Sequence, residues 1–257
     1  MSALYSDSEN TPDLKPDGTF MSWLERTELL LTPEKLSRLQ RANVLVVGLG
    51  GVGAYAAEMI CRAGIGKMTI ADSDVVEVTN RNRQLPALIS TTGRLKTEIM
   101  ANRFHDINPE IILNVMSDYI RNEKTVELIE SQPFDYVVDA IDTLSPKVFL
   151  IRNCIERRMR VVSSMGAGGR LDPSKVQVAD ISESYNCGLA RTLRKRLSRL
   201  GIHEGVKVVF SSEKVREEAV RIDPGQNKQS TVGTISYMPP VFGCFVASVV
   251  INDLLHH

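Results

Sequence analysis

The chain has 257 residues, 43% apolar and 24% charged, enough to bury one large core without requiring a second domain. Lys plus Arg and Asp plus Glu stand at 31 each, so no global field selects a polyanionic partner and any nucleic-acid surface has to be local. The four cysteines, Cys61, Cys154, Cys187 and Cys244, are far apart and form no CxxC pair, which argues against a disulfide framework or thiolate zinc site and fits a reducing cytoplasm.

Residues 1–20 are polar and rich in Ser, Asp and Pro, and they read as a flexible tail with no secretory signal. A β-branched run at 43–48 stops at glycine, and 52–63 then shows helical spacing, so a glycine cluster lies between strand and helix. The alternation continues with a strand at 67–71, a helix at 94–105, a strand at 111–116 and a helix at 123–130. A strand at 134–139, a helix at 146–157 and a strand at 160–164 complete it. This rhythm predicts an α/β fold with a Rossmann-like, doubly wound, mainly parallel sheet. Beyond Gly169 it changes to a C-terminal extension, with strands at 176–180 and 207–211, a basic helix at 189–200 and a polar loop at 223–230. The apolar stretch 232–255 contains Pro239-Pro240 and Asn252-Asp253, and predicts a packed helix starting after the prolines rather than a membrane span.

Gly48-Leu49-Gly50-Gly51-Val52-Gly53 is a GxGxxG with an extra glycine, followed by Asp72 at the end of the second strand. Glycines let the backbone approach phosphate oxygens, the following helix N-terminus presents free N–H groups, and an acid at the second strand end suits ribose hydroxyls. A nicotinamide- or flavin-dependent oxidoreductase would use the same arrangement. The segment Asn80-Arg81-Asn82-Arg83-Gln84, then Lys96, then Asp139-Ala140-Ile141-Asp142 all fall near the C-terminal edge of the predicted sheet. A dinucleotide needs no converging Lys and Arg, whereas cleavage between α- and β-phosphates develops charge that such cations stabilise, so the set reads as nucleotidyl transfer. Taken singly, Arg83 or Lys96 would be a solvated charge and Asp142 a helix cap.

From Arg26 to about Gly169 these motifs resemble the ThiF/MoeB adenylyltransferases, relatives of the ubiquitin-activating enzymes, whose pattern is a GxGGxG loop, an Asp, an N-x-x-R-Q segment, a Lys thirteen residues after that Arg, and a D-x-x-D strand end. The resemblance implies an ATP site formed by Gly48, Gly50, Gly51, Gly53, Asp72, Asn80, Arg83 and Lys96. It also implies catalytic roles for Arg26, Arg83, Lys96 and Asp142, with Asp142 holding Mg2+ and Arg26 reaching into the partner subunit's site in a homodimer. It divides residues 21–257 into a nucleotide-binding part of about 41–170 and a substrate and dimer part of about 171–257.

Through Arg26-Thr-Glu-Leu-Leu-Leu31, Gly166-Ala-Gly-Gly-Arg-Leu-Asp-Pro173, Val176-Gln-Val-Ala-Asp180 and Val208-Val-Phe-Ser-Ser-Glu213, the chain resembles the tRNA threonylcarbamoyladenosine dehydratase branch. That branch activates the threonyl carboxylate of the modified nucleoside at tRNA position 37, and a ring then closes with expulsion of AMP. The resemblance implies tRNA as substrate and a sulfur-relay protein as a further candidate partner. Three readings remain beside it: adenylation of a ubiquitin-like sulfur carrier, a dinucleotide-dependent oxidoreductase, and a non-catalytic nucleotide sensor or tRNA-binding scaffold. Cys187 has no neighbouring His or cation to lower its pKa and is read as an ordinary thiol. Two basic groups are candidates for phosphate contact: Arg191, Arg194, Lys195, Arg196 and Arg199 on one helix, with Leu193, Leu197 and Leu200 inward, and Arg152, Arg157, Arg158 and Arg160 as the second.

Overall fold

A computed structural model describes residues 22–118, 120, 122–222 and 230–256. The expected tail at 1–20 and the polar loop at 223–229 lie outside them, and Ser230, expected in that loop, opens a strand. Strands β1 (Asn43–Val47), β2 (Lys67–Ala71), β3 (Ile112–Met116), β4 (Tyr136–Asp139), β5 (Val161–Ser164), β6 (Val176–Asp180) and β7 (Lys207–Ser211) form one sheet, in the order β3-β2-β1-β4-β5-β7-β6. All pairs are parallel except β6–β7. Residues of β1 and β4 are buried along their whole length, as Val-rich strands covered on both faces are. Strand order reverses between β1 and β4, and the crevice outside the C-terminal ends of strands at such a point is where open α/β sheets bind ligands.

Helices α1 (Glu25–Leu31), α2 (Pro33–Arg41), α3 (Gly53–Arg62), α4 (Lys96–Ile107), α5 (Glu123–Glu130), α6 (Leu144–Glu156), α7 (Gly188–Ser198) and α8 (Met238–His256) complete the layers. One core packs α2, α3, α4 and α8 on one face of the sheet through Leu39, Ile60, Phe104, Phe242 and Val246. The other face carries α5 and α6 through Leu128 and Leu150, and α6 with α7 through Ile151, Leu193 and Leu197. The mainly parallel α/β sheet expected from the sequence is the observed one, and α1, α2 and the hairpin of β8 (Val220–Ile222) and β9 (Ser230–Val232) are additional to it.

Two further details differ from expectation. Helix α8 begins at Met238, before its prolines, because a proline in the first turn forfeits no intrahelical hydrogen bond. Leu200, placed inward by helical spacing, lies beyond the end of α7 and is exposed. By length and composition α8 could cross a membrane, yet Phe242, Val246, Val250 and Leu254 are buried against the rest of the fold, which accounts for its apolar character.

Candidate functional site

The glycine turn between β1 and α3 sits at the reversal of strand order, pressed against the end of β4. Gly48 adopts φ +94°, a region that favours glycine, and a Cβ there would lie 2.8 Å from the Ala140 carbonyl oxygen. A Cβ on Gly53 would overlap the Gly48 carbonyl, and one on Gly51 would meet Pro239 of α8 at 2.9 Å. Packing of the chain against itself therefore requires these three glycines. Gly50 differs: its Cβ would meet only the Gln84 amide nitrogen, at 3.9 Å, so the space in front of it is clear for a ligand's approach.

Asp72, half-buried after β2, accepts from the Leu49 N–H at 2.5 Å and from the Asp74 N–H at 2.7 Å. Burial raises its carboxyl above the ordinary range, opposed by the charge of Lys96 and by those two N–H donors. Lys96 opens α4, where the helix dipole disfavours a cation, so its place is not explained by helix stability. Its ammonium is buried and lies 2.9 Å from the Asp74 carboxylate, which is itself largely open to water.

The segment before α4 crosses the glycine turn from the other side. Asn80 accepts from the Glu77 N–H through Oδ1 at 3.1 Å, and its carbonyl accepts from the Arg83 and Gln84 N–H groups, so it shapes the turn that presents both residues. The Arg83 guanidinium is parked on the Thr79 carbonyl at 2.9 Å and on Asn82 Oδ1 at 2.8 Å. The Asn82 amide donates to the Thr234 carbonyl at 2.8 Å, which ties this segment to the chain entering α8. Gln84, part of the N-x-x-R-Q motif but given no role from sequence, carries a buried Oε1 without a hydrogen-bond partner beside Gly50. An orphaned buried acceptor usually marks a site completed by something absent from the polypeptide.

Asp139 ends β4 and is sealed. Lys147 donates to its Oδ2 at 2.7 Å, Ser163 at 2.6 Å, and the Ile141 N–H donates to Oδ1 at 3.1 Å. This cluster joins the start of α6 to β4 and β5, and fixes the turn from which exposed Asp142 projects. Among the described residues no group of three His, Cys, Asp or Glu forms a metal cage. One exposed carboxylate nevertheless has the chemistry for Mg2+ where phosphates are also bound, since that ion is held through one or two carboxylates plus substrate phosphates.

The four glycines, Asp72, the Asn80–Gln84 turn and the turn carrying Asp142 thus meet at the C-terminal end of β1, with Lys96 on Asp74 beside them and the Arg83 side chain turned onto Thr79 and Asn82. Arg26 does not join them: Leu24, at the start of α1, packs on Gly64 at the C-terminal end of α3, opposite the glycine turn. Arg26 is exposed there, as are Leu29 and Leu30. Cys187 precedes α7 and is buried in the α6–α7 core, while burial pushes the Cys61 and Cys154 thiols up to about 12, which makes them inert core residues.

The ThiF family profile matches residues 25–257. The tRNA threonylcarbamoyladenosine dehydratase of Bacillus subtilis is 38% identical over 90% of this chain and 93% of its own length. The enzyme of the same name from Escherichia coli is 40% identical over 75% of each chain. A crystal structure of the Escherichia coli dehydratase, TcdA, in complex with ATP superposes with a TM-score of 0.81 at 35% identity, covering 90% of this chain and 92% of that one.

Proposed function

The chain belongs to the ThiF family, and from that premise we propose that it uses ATP to adenylate the threonyl carboxylate of threonylcarbamoyladenosine at position 37 of tRNA and then closes a ring, with net loss of water. The observation that carries this reading is a glycine turn with one open face, at Gly50, bordered by the orphaned Gln84 acceptor and by Asp72, which the Leu49 N–H holds and the charge of Lys96 reaches. Similarity to two dehydratases, over 90% and 75% of this chain, supports the same substrate class.

A carboxylate is a poor electrophile. Its oxygen attacks the α-phosphorus of ATP, the bond to the β-phosphate breaks and pyrophosphate leaves. The tethered carbamoyl group then attacks the activated acyl carbon, loses a proton and expels AMP, which keeps the former carboxylate oxygen. Because that nucleophile is built into the substrate, high effective molarity replaces an enzyme nucleophile, and neither a cysteine nor a sulfur-relay partner is needed.

In this reading Gly50 and the start of α3 approach the phosphates, Asp72 takes the ribose, and the orphaned Gln84 Oε1 accepts from an N–H or O–H of the bound nucleotide. Lys96 leaves Asp74 and Arg83 leaves Asn82 to meet the charge that grows as pyrophosphate departs. Asp142 would hold Mg2+, which when bound neutralises phosphate charge. Arg26 serves the site of a second copy in a homodimer, since α1 is anchored away from its own glycine turn; a monomer by sedimentation at micromolar concentration would contradict this. The setting is cytoplasmic, where ATP and tRNA meet.

The test is mass spectrometry of nucleosides from modified tRNA incubated with the protein, ATP and Mg2+, with Lys96→Ala and Asp142→Ala alongside. An ATP-dependent loss of about one water mass, absent from both variants, is expected. An unchanged nucleoside, with pyrophosphate exchange appearing only when a ubiquitin-like protein is added, would refute it.

A further inference from the structure

Sequence alone leaves two basic groups equally eligible for RNA, and the structure separates them. In the second group, Arg152 lies 2.7 Å from Glu156 and Arg157 2.7 Å from Glu130, while Arg160 donates to the Asp135 and Asp253 carbonyls, each at 3.1 Å. Three of its four cations are therefore committed within the fold. Helix α7 carries no acid, and among the described residues no carboxylate pairs with Arg191, Arg194, Lys195, Arg196 or Arg199.

Arg194 is a fastener, donating to the Ser184 and Ile181 carbonyls, while Leu193 and Leu197 are fully buried beneath the helix. Arg191, Lys195 and Arg199 recur every four residues on the outward side, with Arg196 beside them, and all four are exposed. The helix dipole favours Lys195, Arg196 and Arg199 at the C-terminal end of α7, so helix stability accounts for only part of this stripe. Like charges four apart repel, and Arg191 stands in the first turn, where the helix dipole disfavours a cation.

The stripe also passes close to the candidate site. Arg196 donates to Ser145 Oγ at 2.9 Å, and Ser145 follows Asp142 by three residues at the start of α6. From Arg191 to Arg199 it runs about 12 Å along the helix, more than one phosphate spans.

We propose that the outward face of α7, formed by Arg191, Lys195, Arg196 and Arg199, grips the tRNA sugar-phosphate backbone and leads the modified nucleoside to the crevice at Asp142. This rests on the reading of tRNA as substrate. The contacts are to phosphates, so they position the RNA without reading its sequence.

The experiment measures the KM for modified tRNA of the Arg191→Ala/Lys195→Ala/Arg199→Ala variant across a salt series, with Arg152→Ala/Arg157→Ala as control. Calorimetric ATP binding reports that each variant is folded. The α7 variant is expected to raise KM at least about tenfold at physiological salt and to flatten the slope of log affinity against log salt by about 2 to 3, with the control unchanged. Turnover by the unaltered protein with an unchanged KM in the α7 variant would overturn this surface alone, leaving an acidic protein segment as the alternative occupant. No turnover of modified tRNA by the unaltered protein would overturn the proposed reaction and this surface together.

Discussion

Two buried lysines divide the molecule between what holds it together and what acts. Lys147 and Asp139 are both 0% exposed and close on each other with Ser163, whereas Lys96 is 5% exposed but its partner Asp74 is 67% exposed. The first pair is sealed on both sides, so its charges have no other partner to choose. The second is open at one end, so in the proposed reaction the carboxylate can return to water when the ammonium takes an incoming phosphate. Burial of a cation thus signals structure in one case and, in the proposed reaction, readiness in the other, and the exposure of the partner tells them apart.

Removing Lys147 should have the largest effect. Lys147→Ala strands Asp139 as an uncompensated buried charge, and a loss of about 3–5 kcal/mol is expected in denaturant unfolding. A loss below about 1 kcal/mol would mean that the pair does not hold β4 and α6 together.

Lys96→Ala leaves Asp74 solvated and should change unfolding stability by no more than about 1 kcal/mol. Adenylate formation should nevertheless fall by about 10²–10³-fold, as loss of one preorganised charge at a reacting phosphate does. Equal damage to folding from both lysine variants would erase the distinction between them.

The smallest change is Gly50→Ala, at the one glycine of the turn with open space before it. Stability should hold within about 0.5 kcal/mol, while ATP affinity by calorimetry should weaken by about tenfold as the methyl group meets the nucleotide. Full ATP affinity would place the phosphates elsewhere in the crevice.

The same division explains what the sequence could reveal. The β1–α3–β2 unit was legible because a Val-rich run, a glycine cluster and a helical period adjoin in the chain, and Lys67–Ala71 and Glu123–Glu130 have the predicted bounds. That β6 runs antiparallel beside β7 was not expected, because pairing direction is set by a connection that local periodicity does not encode. At the site, the motif residues were found by their spacing. The Gln84 orphan and the support that Pro239 gives Gly51 were not, because both depend on contacts between segments far apart in the chain. The two basic groups looked alike as sequence, and the partners that distant segments bring to the second, Glu130 to Arg157 and the Asp135 and Asp253 carbonyls to Arg160, help to distinguish them.

The most direct measurement follows one oxygen atom. Modified tRNA carrying ¹⁸O in the threonyl carboxylate is incubated with the protein and ATP in ordinary water, and the nucleotide product is analysed by mass spectrometry. Activation through an acyl-adenylate predicts AMP containing one ¹⁸O atom, transferred when the ring closes. Ring closure with unlabelled AMP, or with the label in inorganic phosphate and ADP as the product, would contradict adenylation of the carboxylate.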